Sequence, residues 1–215
     1  KLDELQTQLG DNFIPLNFDV SDLPTTKTAL QTLPNDLLTN IDVLVNNAGL
    51  ALGLEPADKT DFADWQQMVN TNILGLIHLT HEILPSMVAN NDGYIINLSS
   101  TAGNYPYFGG NVYGATKAFV TQFSLNLRAD LVGKNIRVSN IEPGLCGGTE
   151  FSNIRFHGDD AKAAQVYDSV QYVTPQDIAN MVAWLIEQPK HVNINRIEVM
   201  PTAQTFAGLK VVKDL

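Results

Sequence analysis

The stretch IDVLVNNAG, residues 41–49, places a short apolar segment directly before a turn of small and polar residues. Residues 41–46 are mostly aliphatic or β-branched, which favours a buried strand. The turn that follows consists of Asn46, Asn47, Ala48 and Gly49. Small residues let a ligand or another backbone approach closely, while an asparagine side chain can hydrogen-bond it. The same combination of strand and turn recurs along the chain.

Short apolar runs alternate with longer helical patterns throughout the sequence. The predicted strands are residues 13–18, 41–46, 94–98, 136–141 and 196–199. The predicted helices are residues 2–9, 21–33, 61–87 with a weak point at 71–75, 110–132 and 174–187. Strands separated by helices of this length run parallel and are joined by crossovers. We therefore predict a single α/β domain over residues 1–215, with a doubly wound parallel sheet and helices on both faces.

The composition argues against several classes of function. The 23 acidic residues outnumber the 13 basic ones and give a net charge of -10, which would repel nucleic acid and anionic lipid. Cys146 is the single cysteine, so neither an intramolecular disulfide nor a Cys-rich metal site can form. No apolar run approaches the length of a membrane span. We expect a cytoplasmic protein with no nucleic-acid or membrane partner.

Two more predicted strands end in turns of the same type. Residues 99–103 follow one of them and read SSTAG, and residues 142–144 follow the next and read EPG. The carboxyl ends of parallel strands meet at one edge of the sheet, which is where α/β folds bind ligands. Each turn alone could simply reverse the chain. Three of them at one edge favour a ligand site.

Tyr113 and Lys117 lie four residues apart in the predicted helix 110–132. This spacing puts both side chains on one face of the helix. We expect that face to be separate from the apolar stripe of Val112, Ala115, Phe119 and Phe123. An ammonium group near a phenol favours the phenolate and lowers the tyrosine pKa from about 10, as a general acid/base requires. The alternative is a surface tyrosine beside a solvated lysine, because the spacing is common by chance.

With these motifs in this order, the chain resembles the short-chain dehydrogenases/reductases. Tyr113 and Lys117 match the Tyr-x-x-x-Lys motif of that family, and Ser100 stands thirteen residues before the tyrosine, as the family serine does. Asn72, in the sequence NTNILG, matches the fourth catalytic position. The resemblance covers nearly the whole chain.

The resemblance implies hydride transfer between a nicotinamide and a substrate carbon, with no metal. Tyr113 would give or take the proton on the substrate oxygen, and Ser100 would hold that oxygen by a hydrogen bond. Lys117 would depress the Tyr113 pKa and bind the nicotinamide ribose. Asn72 would hold a water that links Lys117 to solvent. Taken alone, Ser100 could cap a turn and Asn72 could stabilise a break in its helix.

Further positions resemble the cofactor-binding residues of the family. Asp19 and Val20 match the pair that lines the adenine pocket. The resemblance also assigns cofactor contacts to Tyr113, Lys117, Asn47, Ala48, Gly49, Pro143, Gly144 and Thr149. The family's glycine-rich phosphate turn is absent from these residues.

Long runs, such as residues 100–131, are similar to bacterial NADP-dependent 3-hydroxy acid dehydrogenases. This similarity implies NADP as the cofactor, with NAD also possible. It implies serine, allo-threonine, 3-hydroxypropionate or malonic semialdehyde as the type of substrate. Such substrates carry a carboxylate, so a cation is expected near Ser100 and Tyr113, and Arg155 is the candidate. Arg155 could instead bridge Glu150 or Asp159 at the surface.

The absence of the phosphate turn implies that strands of the sheet are absent with it. In the strand order 3-2-1-4-5-6, residues 13–18 would be the third strand and residues 41–46 the fourth, with two central strands between them. We therefore expect residues 1–215 to lack at least one βαβ portion of ~30 residues. A related ketone or aldehyde reductase, or a non-catalytic binding protein on the same scaffold, remains open.

The helices at residues 72–87 and 112–131 have broad apolar faces. These faces exceed what one side of a sheet can cover, so a second subunit is expected to pack on them. The sequence therefore predicts a homodimer or homotetramer.

Overall fold

A four-stranded parallel sheet lies at the centre of the fold. The computed structural model describes residues 1–206. The strands are β1 (Val43–Asn46), β2 (Gly93–Leu98), β3 (Ile136–Pro143) and β4 (Arg196–Val199). They lie side by side in chain order, so each connection crosses over to the next strand. The predicted α/β class with parallel strands is confirmed.

Nine α-helices connect or flank these strands within residues 1–206. They are α1 (Leu2–Leu9), α2 (Leu23–Gln31), α3 (Asn35–Thr39), α4 (Phe62–Val69), α5 (Leu76–Asn90), α6 (Asn111–Asp130), α7 (Phe151–Arg155), α8 (Asp160–Gln165) and α9 (Pro175–Glu187). The short helices α3, α7 and α8 were not predicted from the sequence. Over this part of the chain, no helix is both long enough and apolar enough to cross a membrane.

Helices cover both faces of the sheet, as alternate residues of β2 show. Ile95 points into a cluster with Met87 of α5 and Leu127 of α6. Its neighbour Ile96 points the other way, into a cluster with Leu185 of α9. A strand buried on both faces must be apolar at nearly every position, which explains the continuous apolar run of β2.

Residues 13–18 do not form a strand, so that prediction is wrong. Phe13 has φ -125° and ψ 120°, which is ordinary extended backbone. Within residues 1–206, however, the sheet ends at β1 and no strand pairs with this segment. Extended backbone becomes a strand only when a neighbour supplies the ladder of hydrogen bonds.

The predicted weak point in the helix at residues 61–87 is a π-helical turn. This turn, Asn70–Gly75, joins α4 to α5. A Cβ atom on Gly75 would lie 2.9 Å from the Val20 carbonyl oxygen, so only glycine allows the two segments to touch. The turn points Asn72 inward, where that residue is 1% exposed. Turns of this kind often occur at functional sites.

Candidate active site

A cleft of about 680 Å³ opens at the carboxyl ends of β2 and β3. Such a volume suits a small molecule. The residues predicted as site residues that line this cleft are Asn47, Gly49, Ser100, Tyr113, Lys117, Pro143, Gly144, Thr149 and Arg155. Residues spread over more than half of the sequence therefore meet at the predicted edge of the sheet.

The other predicted site residues lie outside the cleft wall. Asn72 is buried beside Gly49, and Ala48 is exposed in the turn after β1. Asp19 accepts hydrogen bonds from the amide and hydroxyl of Ser21. Val20 packs against Gly75 of the π turn. The structure thus does not bring Asp19 or Val20 to the cleft.

Lys117 is buried, with 6% of the residue exposed. Its Nζ atom donates a hydrogen bond to the Leu98 carbonyl at 2.9 Å. Its own carbonyl accepts a hydrogen bond of 2.6 Å from the Ser99 hydroxyl. Burial disfavours the ammonium form and lowers the pKa of Lys117 to about 8.

Tyr113 and Lys117 lie on the buried stripe of α6, so the prediction of a separate core stripe is wrong. The buried residues of α6 are Tyr113, Thr116, Lys117, Val120, Thr121, Ser124 and Leu127. The predicted core residues Val112, Ala115, Phe119 and Phe123 are half-buried or exposed. The reason is that polar groups on this stripe find buried partners, since Asn97 of β2 donates to Ser124 and Asn72 donates to Thr116.

The Tyr113 phenol lies in the cleft, with 7% of the residue exposed. Burial raises the pKa of Tyr113 to about 12, although a hydrogen bond with Ser100 and the charge of Arg155 oppose this rise. The Lys117 amine lies 5.9 Å from the centre of the tyrosine ring. The expected lowering of the Tyr113 pKa is therefore wrong, because desolvation outweighs the nearby charges.

The Ser100 hydroxyl caps a turn, as one of the two interpretations of the sequence predicted, and it also lines the cleft. Its hydroxyl caps the turn after β2 by accepting from the Ala102 amide at 3.1 Å. It also donates to the Pro143 carbonyl at 3.2 Å. The Ser100 hydroxyl thereby joins the end of β2 to the loop after β3, and it remains in the cleft beside Tyr113.

Asn72 connects the π turn to the segment after β1. Its Oδ1 atom accepts from the Leu50 amide at 2.9 Å, and its Nδ2 atom donates to the Leu50 carbonyl at 2.9 Å. A Cβ atom on Gly49 would lie 3.1 Å from Lys117 Nζ and 3.3 Å from Asn72 Oδ1. Glycine therefore leaves a cradle open next to a buried amine, which suits the hydroxyl groups of a nucleotide ribose.

Arg155 lies in the cleft wall and not in a surface ion pair. Its guanidinium group is 5.6 Å from the centre of the Tyr113 ring. Glu150 pairs with Lys1, and Asp159 pairs with Lys162 at 3.3 Å. Among residues 1–206, no carboxylate lies within 4.0 Å of the guanidinium. Arg155 is therefore a cation in the cleft to which residues 1–206 supply no carboxylate partner.

Glu142 is a buried carboxylate whose role was not predicted. Arg196 donates to it from two nitrogen atoms, each at 2.7 Å, and Asn104 donates at 2.6 Å. Asn104 follows the turn that contains Ser100, so this network fixes the turn against β3. A glutamate within an apolar strand signals a need for a charged partner, but the sequence does not identify Arg196 as that partner.

Gln204 is a second cleft residue that was not predicted. Its Oε1 atom accepts from the Leu145 amide at 2.7 Å. A Cβ atom on Gly144 would lie 2.3 Å from the same oxygen, so the glycine makes this contact possible. Gln204 thereby holds the loop after β3, but nothing in its sequence neighbourhood indicates this contact.

The lowered pKa of Lys117 predicts how stability depends on pH. Between the folded pKa of about 8 and the ordinary value of 10.5, the unfolded lysine holds a proton that the folded one has lost. The unfolding free energy of the wild type should therefore rise with pH over this range, by at most ~1.4 kcal/mol per pH unit. Lys117→Met should lack this rise. In urea denaturation, the unfolding free energy of the wild type relative to that of the variant should therefore increase from pH 8 to 10.

Lys134→Met, which removes an exposed lysine after α6, is the control and should follow the wild type. Parallel pH curves for the wild type and Lys117→Met would show that Lys117 is not buried as described.

The similarities to known proteins agree with this geometry. The sequence pattern of the short chain dehydrogenase family matches residues 1–159. A probable NADP-dependent dehydrogenase of Haemophilus influenzae is 67% identical over 214 residues, which span 100% of this chain and 84% of that protein. An NADP-dependent 3-hydroxy acid dehydrogenase of Escherichia coli is 54% identical over 211 residues, covering 98% of this chain and 85% of that protein.

A solved structure shows the same fold. The closed form of a serine dehydrogenase complexed with NADP+ superposes with a TM-score of 0.96 and 54% sequence identity. The match covers 99% of this chain and 86% of the other. A parallel α/β fold, the order of the motifs and these similarities agree, and the chain belongs to the short-chain dehydrogenase family.

Proposed function

We propose that this protein is an NADP-dependent oxidoreductase that interconverts small 3-hydroxy acids and 3-oxo acids. The observation that carries the proposal is the position of Arg155. This cation, which has no carboxylate partner among the described residues 1–206, lies 5.6 Å from the centre of the Tyr113 ring, in the cleft that also holds Ser100. A carboxylate bound to Arg155 would place a nearby hydroxyl or carbonyl group within reach of Tyr113 and Ser100.

The cofactor, when bound, supplies or accepts a hydride at the substrate carbon. Tyr113 donates a proton to the substrate oxygen during reduction and takes it back during oxidation. Because burial raises the pKa of Tyr113 to about 12, the phenol is protonated at neutral pH and can act as an acid. The Ser100 hydroxyl holds the same oxygen by a hydrogen bond.

Lys117 in the cleft wall and Asn72 behind it support this chemistry. The Lys117 amine has one hydrogen bond to Leu98, so further N–H groups are available for ribose hydroxyls. Asn72 borders the cradle around Gly49, and we assign it the role of holding a water beside the amine. The remaining cofactor contacts are assigned to Asn47, Ala48, Pro143, Gly144 and Thr149, with Asp19 and Val20 at the adenine end.

The similar proteins support the choice of cofactor and substrate. The relatives from Haemophilus influenzae and Escherichia coli are named as NADP-dependent, and the second is named as a 3-hydroxy acid dehydrogenase. A general ketone or aldehyde reductase would not need a cation beside Tyr113. A non-catalytic binding protein would not need Ser100, Tyr113 and Lys117 in one cleft.

The role of Tyr113 is tested by Tyr113→Phe, which removes only the hydroxyl. We expect kcat for 3-hydroxypropionate oxidation to fall by ~10² to 10⁴, since this is the contribution of a general acid/base. NADPH binding and the urea midpoint should stay close to wild type. Nicotinamide absorbance measures turnover, and fluorescence titration measures binding.

Tyr172→Phe is the matched control. Tyr172 itself lies outside the cleft wall, where it packs against Gly147 and Tyr167. Turnover by Tyr113→Phe at the wild-type rate would remove the proposed acid.

The role of Arg155 is tested with charged and uncharged substrates. Arg155→Met should raise KM for 3-hydroxypropionate roughly 30-fold or more, because a charged partner of the carboxylate is lost. KM for an uncharged aldehyde such as propanal should change little. Arg128→Met, in the last turn of α6, is the control arginine. An equal change in KM for both substrates would argue against carboxylate recognition.

We also propose that the protein is a homodimer or homotetramer. Apolar side chains are exposed on α6, where Phe119 is 37% exposed and stacks on Phe123 with ring centres 5.9 Å apart. Leu74 of the π turn is 38% exposed. Exposed apolar side chains on adjacent helices suit a contact between identical subunits.

Light scattering should therefore give at least twice the chain mass of 23.5 kDa. Phe119→Glu should reduce the observed mass, because a charge would be buried in the contact, while Val132→Glu beyond the end of α6 should not. A monomer in the wild type would contradict the proposal. A reducing, cytoplasmic setting is also proposed, and the single cysteine, Cys146, supports it.

A further inference from the structure

Tyr107 lies in the cleft wall beside Arg155, in the loop before α6. Nη2 of Arg155 donates a hydrogen bond of 2.9 Å to the Tyr107 hydroxyl oxygen. The guanidinium group also lies 5.8 Å from the centre of the Tyr107 ring. Because the tyrosine oxygen accepts this bond, its own O–H group is left to donate elsewhere.

Arg155 also has donors to spare. A guanidinium carries five N–H groups, of which Nε donates to the Gly53 carbonyl at 3.2 Å and one Nη2 group donates to Tyr107. Among residues 1–206, no carboxylate lies within 4.0 Å of the remaining donors. The wall therefore presents charged N–H groups and a phenol O–H group side by side.

Tyr107 is held in place by contacts that leave it little freedom. A Cβ atom on Gly110 would lie 2.8 Å from the Tyr107 ring, so the ring rests directly on that glycine. Gly109 has φ +78°, and a Cβ atom there would lie 2.2 Å from the Leu54 carbonyl oxygen. Only glycine permits this close approach of the loop to residue 54.

Arg155 is fixed to the same part of the chain. The Gly53 amide donates to the Arg155 carbonyl at 2.8 Å, while the Arg155 side chain donates to the Gly53 carbonyl. Tyr107 and Arg155 are therefore both anchored to the segment at residues 53–54. Anchoring of both donors reduces the entropy lost when an anion binds to them.

We propose that Tyr107 is a specificity-determining residue that donates its hydroxyl hydrogen to the substrate carboxylate held by Arg155. This inference rests on the proposed function and extends it. A carboxylate has two oxygen atoms, and the guanidinium and the phenol can each bind one. The 5.6 Å between the guanidinium and the Tyr113 ring leaves room for only a short carbon chain between carboxylate and reacting carbon. The substrate class is therefore a short hydroxy acid, in agreement with the proposed function.

Tyr107→Phe tests this inference, because the ring stays on Gly110 and only the hydroxyl is lost. We expect KM for 3-hydroxypropionate to rise roughly 10-fold, as for loss of a hydrogen bond to a charged group, with kcat within about threefold of wild type. The inhibition constant of propionate, which keeps the carboxylate but lacks the reacting hydroxyl, should rise in parallel. KM for propanal, which has no carboxylate, should stay unchanged. Tyr172→Phe is again the matched control.

The possible outcomes separate the two proposals. Unchanged KM and inhibition constants in Tyr107→Phe, with normal wild-type turnover of 3-hydroxypropionate, would overturn the role of Tyr107 and leave the proposed function intact. A loss of kcat alone, or an equal rise in KM for propanal, would show a structural role and would also overturn the inference. Failure of the wild type to oxidise any 3-hydroxy acid would refute the proposed function itself.

Discussion

At the carboxyl end of β2, Lys117 is bound both through its backbone carbonyl and through its side-chain amine. The Ser99 hydroxyl binds its carbonyl, and the Leu98 carbonyl binds its amine. These two bonds fix α6 against the sheet, and Tyr113 comes one helical turn earlier on the same face. Ser100 lies two residues after the end of the same strand. The end of a single strand therefore determines the relative positions of the phenol, the hydroxyl and the amine, and the rest of the cleft is arranged around them.

Burial affects these groups more strongly than their mutual charges do. It raises the pKa of Tyr113 and lowers that of Lys117, so both groups are driven toward their neutral forms. The same low-dielectric surroundings strengthen the interaction of the Arg155 charge with anything bound near it. The cleft therefore disfavours an isolated phenolate. It favours a bound anion, because the anion pairs with the Arg155 cation.

Local signals in the sequence were enough to predict much of this architecture. The strand-end turn at residues 46–49 and the helix break at residues 71–75 follow from small residues and apolar patterns close together in the chain. Thr174 and Asp177 form the capping box that starts α9, where the helix was predicted. Such features need no knowledge of distant contacts.

The features that were missed depend on partners far away in the sequence. Thr116 and Ser124 are polar, and they can be buried because Asn72 and Asn97 donate hydrogen bonds to them. The relation between Tyr107 and Arg155 joins residues 48 positions apart. Periodicity cannot reveal this kind of pairing, because it reports the faces of one element and not what packs against them.

The π turn between α4 and α5 limits the deletions that this helical segment can accept. A π turn accommodates one residue more than an α-helical turn, so the two helices that it joins are out of phase with each other. Removal of that residue would restore a continuous rod, but then either Asn72 would rotate away from Gly49 or Met87 would rotate out of the core. The length of this helical segment is therefore set jointly by the cleft and the sheet, and a single deletion cannot satisfy both.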